Sequence, residues 1–149
     1  MNTIRRRARE WAVQMLVAAD LNPGDTPEAI VESFWEMFRT LDEEEGGDGG
    51  KLPRGRVRRF VEERVYGVLR NIESIDASID RFLVLGGWEM FRLGAVEKAV
   101  LRVGVWELSN TDAPVGVVVN EAIDICNWFS TPKSRSLING VLDRYAKSR

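Results

Sequence analysis

Apolar residues recur at helical spacing along most of this chain. Ile4, Ala8, Trp11, Ala12, Met15, Leu16 and Ala19 form one stripe, which predicts a first helix over about Thr3 to Asp20, with Asn2 or Thr3 capping its first amides. Asn22-Pro23-Gly24 ends it in a turn. A second helix starts at Thr26, with Pro27 suited to the first helical position, and carries Ile30, Phe34, Met37, Phe38 and Leu41. Trp35 lies beside this stripe and is read as core, because large aromatics usually bury most of their area. From near Gly55 to about Leu85, the apolar positions from Val57 through Phe60, Val61, Val65, Val68, Leu69, Ile72, Ile75 and Ile79 to Phe82 keep the same period. They predict one long third helix, with two helices broken near Ser74 as the competing reading, and Gly86-Gly87 as the stop. Trp88 to Arg92 reads as a short helical turn.

Three further stripes follow. Val96, Ala99, Val100, Val103 and Trp106 make the first; Val118, Ala122, Ile125 and Phe129 the second; Leu137, Ile138, Val141, Leu142 and Tyr145 the third. Short turns at Asn110 to Ala113 and at Ser130 to Thr131 join them. Three amphipathic helices on short links must bury their apolar faces on one another, which predicts a compact three-helix unit within Val96 to Asp143. Asp112 is the candidate cap for the helix that starts near Pro114, and Thr131-Pro132 is a cap followed by proline. Asn139-Gly140 is ordinarily a hairpin signal, but the apolar stripe on both sides outweighs it. Gly104 within a helix costs about 1 kcal/mol relative to alanine; it either permits a close helix contact or is tolerated. The fold class is all-α, with an N-terminal helical subdomain over about residues 1–72 and a C-terminal one over about 73–149.

Composition narrows the chemistry. The chain has 149 residues, 44% hydrophobic and 30% charged, as expected of a globular domain rather than a disordered chain. No apolar run is long enough to span a bilayer, and Met1 to Glu10 lacks the apolar centre of a signal peptide. One cysteine excludes an internal disulfide, and a reducing cytoplasm is the expected setting. Cys126 beside the Ile125 stripe reads as a small core residue. There is no histidine, which removes serine–histidine and cysteine–histidine nucleophile pairs and histidine metal ligands. No phosphate-binding glycine motif occurs either, so no cofactor is expected; a carboxylate or lysine enzyme stays open, although nothing places two carboxylates together in a pocket. Asp42 to Gly50 (DEEEGGDGG) reads as a solvated flexible loop rather than a metal site, because its spacing does not fix a ligand geometry. The basic run Lys51, Arg54, Arg56, Arg58 and Arg59 either pairs with that loop or extends a nucleic-acid surface.

Net charge is only −2, yet Arg5, Arg6, Arg7 and Arg9 crowd the first turns of the first helix. The helix dipole is positive there, so each cation is unfavourable by about 0.3–1 kcal/mol. An anionic partner such as RNA offsets that; the plain alternative is a solvated charged face with Arg6 near Glu10 at i+4.

VEKAVLRVGVWEL (Val96 to Leu108), VNEAIDI (Val119 to Ile125) and INGVLD (Ile138 to Asp143), preceded by RRRAREWAVQ (Arg5 to Gln14), stand in the order and at about the spacing found in the NusB transcription antitermination factors, which this chain resembles. The resemblance covers residues 3–20 and about 56–147. It implies a helical bundle of two three-helix subdomains and a non-enzymatic factor that binds single-stranded boxA RNA together with the small-subunit ribosomal protein NusE. The same resemblance implies a place in an RNA polymerase antitermination complex acting on ribosomal RNA operons, in the bacterial cytoplasm, with a homodimer when free in some relatives. By the same token it assigns RNA contacts to Arg5, Arg6, Arg7, Arg9 and Gln14, with Lys133 as an added phosphate contact, and partner contacts to Glu97, Lys98, Asn120 and Glu121. For Asn120 and Glu121, a structural hydrogen-bond network between helices is the leading reading; for Asn139, helix packing comes before RNA contact. Two positions depart from the family: Val17 stands where many relatives have tyrosine, and Lys133 where some have an acid. Losing an aromatic forfeits a stacking contact of about 1–3 kcal/mol per base. Two alternatives follow: a helical adaptor that has lost specific RNA recognition, and a module related to the RNA-binding domain of ribosomal RNA cytosine methyltransferases.

Overall fold

One asparagine divides the apolar run in the middle of the chain. In the structure, a computed structural model that describes residues 3–47, 52–127 and 131–149, the run expected as one helix forms α3 (Gly55–Arg70) and α4 (Ile72–Leu85). The break falls at Asn71, three residues before the alternative site at Ser74. Asn71 Nδ2 donates to Gly67 O at 2.8 Å, occupying the carbonyl that a continuing helix would give to the Asn71 amide. That amide turns to Val68 O instead, at 3.1 Å, and Ser74 Oγ caps Asn71 O at 3.1 Å. The apolar period runs straight through this point, so periodicity alone does not show it.

Around these lie α1 (Thr3–Leu21), α2 (Pro27–Glu44), a 3-10 turn (Met90–Arg92), α5 (Ala95–Asn110), α6 (Val115–Cys126) and α7 (Pro132–Ser148). The described residues are all-helical, with no strand. Thr26 and Thr131 cap α2 and α7, each accepting from the amide three residues on (Ala29 N at 3.1 Å, Ser134 N at 3.2 Å), with a proline at the first helical position of both. Asp112 does not cap α6. Pro114 occupies the cap position and its carbonyl takes the amides of Val117 and Val118. The acidic stretch from Asp42 is also corrected at its start: Asp42 to Glu44 are the last turn of α2, and Asp42 is buried. Expectations that rest on Asn2, on residues 48–51, and on Phe129 and Ser130 lie outside the described residues.

The chain divides into two compact units, Met1–Tyr66 and Gly67–Arg149. In the first, Ala8, Ala12, Met15 and Leu16 of α1 share a core with Ile30, Val31, Phe34 and Trp35 of α2 and with Val61 and Val65 of α3. Trp11, Trp35 and Phe38 meet edge to face, with centroids 5.4–6.2 Å apart. Trp35 is buried as expected, and its indole donates to Glu62 Oε2 at 2.8 Å. Ile4, Met37 and Leu41, expected on the apolar stripes, are exposed instead.

In the second unit α5, α6 and α7 all pack on one another, as the sequence pattern requires, and α4 packs on α5 and α7 as a fourth helix. With three neighbours, α5 is buried on nearly all sides from Ala99 to Val105, and again at Glu107 and Leu108, rather than along one stripe. Burial on so many sides needs close approach. A Cβ on Gly104 would lie 2.8 Å from Leu142 Cδ2, and one on Gly67 would lie 2.1 Å from Trp106 Nε1. Cys126 is fully buried here, and Asn139 is exposed, so packing does not explain it.

These contacts predict opposite signs for two glycine-to-alanine changes. At Gly140, in mid-α7 with nothing within 4 Å of a new Cβ, alanine gains the helix propensity of about 1 kcal/mol. At Gly67 the same gain is outweighed by forcing a rigid indole aside, at the upper part of the ~1–3 kcal/mol range for overpacking. Urea unfolding should therefore show a higher midpoint for Gly140→Ala and a lower one for Gly67→Ala.

Candidate nucleic-acid interface

The four N-terminal arginines do not share one environment. α1 has an angular step of about 100° per residue, so consecutive positions face different ways. Arg5 and Arg7 are exposed, Arg6 is half-buried, and Arg9 is only 4% exposed. The Arg9 guanidinium lies 5.4 Å from the centre of the Phe60 ring on α3, whose other close cation is Arg64 at 3.3 Å. Arg64 is itself buried and donates to Phe60 O at 3.2 Å. Phe60 is thus gripped by two guanidiniums, and Arg9 works inside the first unit. Gln14 is exposed, two turns beyond Arg7 and on the same side of α1. Val17, where an aromatic was expected, is half-buried.

The basic run before and within α3 also separates. Arg58 Nε binds Glu62 Oε2 at 3.0 Å and its guanidinium stacks over Trp35 at 5.2 Å, while Arg54, Arg56 and Arg59 are exposed. On α2, Arg39 is held between Glu36 and Glu43. The Glu36 hydrogen bond, then the two carboxylate charges, raise its pKa above the ordinary arginine value.

On the second unit, Lys133 is exposed and its ammonium sits 5.2 Å from the Trp88 ring. Its neighbour Ser134 donates to Glu97 Oε2 at 3.1 Å, so the starts of α5 and α7 form one polar patch that contains two of the expected residues. Lys98 is half-buried. Asn120 is exposed, whereas the adjacent Glu121 is 5% exposed and turned into the core, as expected of a structural role. Sequence reading missed the Trp88–Lys133 contact and the Arg102–Asp76 pair, in which Arg102 Nε and a terminal amine meet the two carboxylate oxygens at 2.8 and 2.9 Å. Twenty-six residues separate Arg102 from Asp76, so no local spacing announces the pair.

A profile of the NusB family matches residues 6–147. This chain belongs to the NusB family. The transcription antitermination protein NusB of Syntrophotalea carbinolica is 35% identical over 149 residues, spanning 97% of this chain and 93% of the relative. That of Bacillus licheniformis is 38% identical over 139 residues, spanning 93% and 92%. Among solved structures, NusB of T. maritima superposes with a TM-score of 0.79 at 30% identity, covering all of this chain and 94% of that one. A structure of antitermination factors NusB and NusE in complex with double-stranded RNA matches with a TM-score of 0.76 at 28% identity, covering 100% of both chains. NusB factors are not enzymes, and membership places this chain in that non-enzymatic class. Among the described residues, no helix is long and apolar enough to cross a membrane.

The burial difference among the NusB-type arginines gives a stability test. Arg9→Ala removes a desolvated cation–π contact and leaves a gap beside Phe60, and should cost about 2 kcal/mol. Arg5→Ala and Arg7→Ala, at exposed positions, should stay within about 0.5 kcal/mol of wild type. Thermal unfolding of the three variants checks this.

Proposed function

We propose that this protein is a transcription antitermination factor that binds boxA-like single-stranded RNA and does so together with NusE, as part of an RNA polymerase complex on ribosomal RNA operons in the bacterial cytoplasm. The observation that carries the reading is the exposed arginine turn of α1. Arg5 and Arg7 face solvent at the positive end of the helix, where they lower stability rather than raise it. Guanidiniums there contact phosphates in bidentate fashion and stack on unpaired bases. The resemblance to a NusB crystallised with NusE and RNA supports the choice of partners.

In this reading Arg5, Arg6 and Arg7 contact phosphates and Gln14 a base edge or sugar, while Arg9 holds α1 against Phe60 so that the others are presented. On the second unit, Lys133 over Trp88 serves RNA, and Lys98, Asn120 and Glu97 face NusE. Glu121 acts from the core by ordering α6.

Fluorescence anisotropy of labelled boxA-like, scrambled and double-stranded RNA, each with and without NusE, tests this. Preference for the boxA-like strand, sharpened by NusE and weakened by Arg5→Ala with Arg6→Ala, is the expected result. Affinity should fall with salt with a log–log slope of about −0.7 per phosphate neutralised. A salt-independent affinity contradicts the arginine–phosphate contact. Equal weak binding to all three RNAs with NusE still bound would instead identify an adaptor that no longer reads sequence.

A further inference from the structure

The first unit carries a second set of arginines that the α1 contacts do not use. Arg54 precedes α3, and Arg56 and Arg59 lie in its first two turns, on one side of the helix at i and i+3. All three are exposed, and the first turn of α3 holds no acidic residue. Of the nearby acids, Glu62 is bonded to Arg58 and the Trp35 indole and Glu43 to Arg39, while the exposed Glu63, one turn beyond Arg59, forms no ion pair with it. Among the described residues, none of Arg54, Arg56 and Arg59 is in an ion pair, so the acidic end of α2 does not neutralise them. Like Arg5 and Arg7 on α1, they are exposed cations placed near a helix start, against its dipole.

The two sets are close. Arg9 of α1 touches Phe60 of α3, with 5.4 Å from guanidinium carbon to ring centre. Arg5 and Arg7 stand within about one turn of Arg9 on α1, and Arg56 and Arg59 within about one turn of Phe60 on α3. Both sets therefore flank a single contact at a separation of a few helical turns, the span of a few nucleotides of an extended strand. The two guanidiniums on Phe60 fix that spacing, because each is buried.

We infer that Arg54, Arg56 and Arg59 form a second phosphate-binding track, along which an RNA strand seated on the α1 arginines continues over the start of α3. This rests on the RNA-binding reading of α1 and deepens it by assigning the adjacent stretch of backbone. The track is electrostatic and reads no sequence, since these side chains meet phosphates rather than base edges. It lengthens the RNA footprint.

The test uses the full chain and two labelled RNAs, a short boxA-like strand and the same strand extended by about six nucleotides at either end. Wild type should bind the extended strands more tightly than the short one, with a steeper salt dependence. Arg54→Ala, Arg56→Ala and Arg59→Ala combined should remove that advantage, on the order of tenfold at low salt. The log–log slope on the extended strand should become shallower by about 2, three contacts at about 0.7 each. The corresponding triple lysine variant should retain both, and circular dichroism shows whether each variant is folded. An unchanged slope in the folded alanine variant overturns the track; if Arg5→Ala with Arg6→Ala still abolishes binding, the α1 reading stands without it. Loss of binding to the short strand as severe as to the extended ones also overturns it, because the track is then part of the α1 site. Should wild type fail to bind any of the strands, both readings fall together.

Discussion

The C-terminal unit depends on the burial of α5. A helix enclosed by three others has no side on which to place a polar residue cheaply, yet α5 keeps Arg102 and Glu107 inside. Removing a charge from water costs several kcal/mol unless its partner is well placed. The bidentate fork between Arg102 and Asp76 meets that condition and ties α5 to α4. Asp76 lies on α4, which begins where Asn71 takes the carbonyl of Gly67 for its side chain. The same few residues let Trp106 lie against Gly67. The two α5 contacts, apolar at Gly67 and ionic at Asp76, thus lie on either side of the Asn71 break.

The first unit solves a different problem. Its arginines are numerous, and the fold sorts them by use. Arg9 and Arg64 clasp Phe60 and Arg58 lies on Trp35, so three cations serve as packing material through their flat, weakly hydrated faces. Arg39 is held between two carboxylates on α2, while Arg5, Arg7, Arg54, Arg56 and Arg59 stay in solvent near helix starts, where the dipole opposes them. Stability accounts for the first group and not for the second, and that division is what directs attention to an anionic partner.

The helical type of the elements was legible because amphipathic helices of ten or more residues leave a periodic trace, and the capped starts at Thr26-Pro27 and Thr131-Pro132 are local signals. The Asn71 break was not legible, since both helices it separates keep their apolar positions in phase. Nor was the depth of α5, because the number of neighbours a helix has is a tertiary fact; the same absence of tertiary information placed Ile4, Met37 and Leu41 on buried stripes although they are exposed. At the candidate site, sequence pointed to the N-terminal arginines as a group but not to their division between solvent and core. Arg5, Arg7 and Arg9 look alike in a string, and only the position of Phe60, some fifty residues on, distinguishes them. Membership of the NusB family was legible from four short segments in order.

The lone cysteine has a use that follows from its place. Cys126 is fully enclosed at the end of α6, and the first unit contains no thiol. A thiol reagent can reach it only when the packing around α6 opens, so its labelling rate is a clock for opening of the C-terminal unit alone. Set beside amide hydrogen exchange in α1 and α2, which reports the other unit, it provides two independent dials on one unmodified chain, and with them a direct measure of whether the two halves melt as one cooperative body or in sequence.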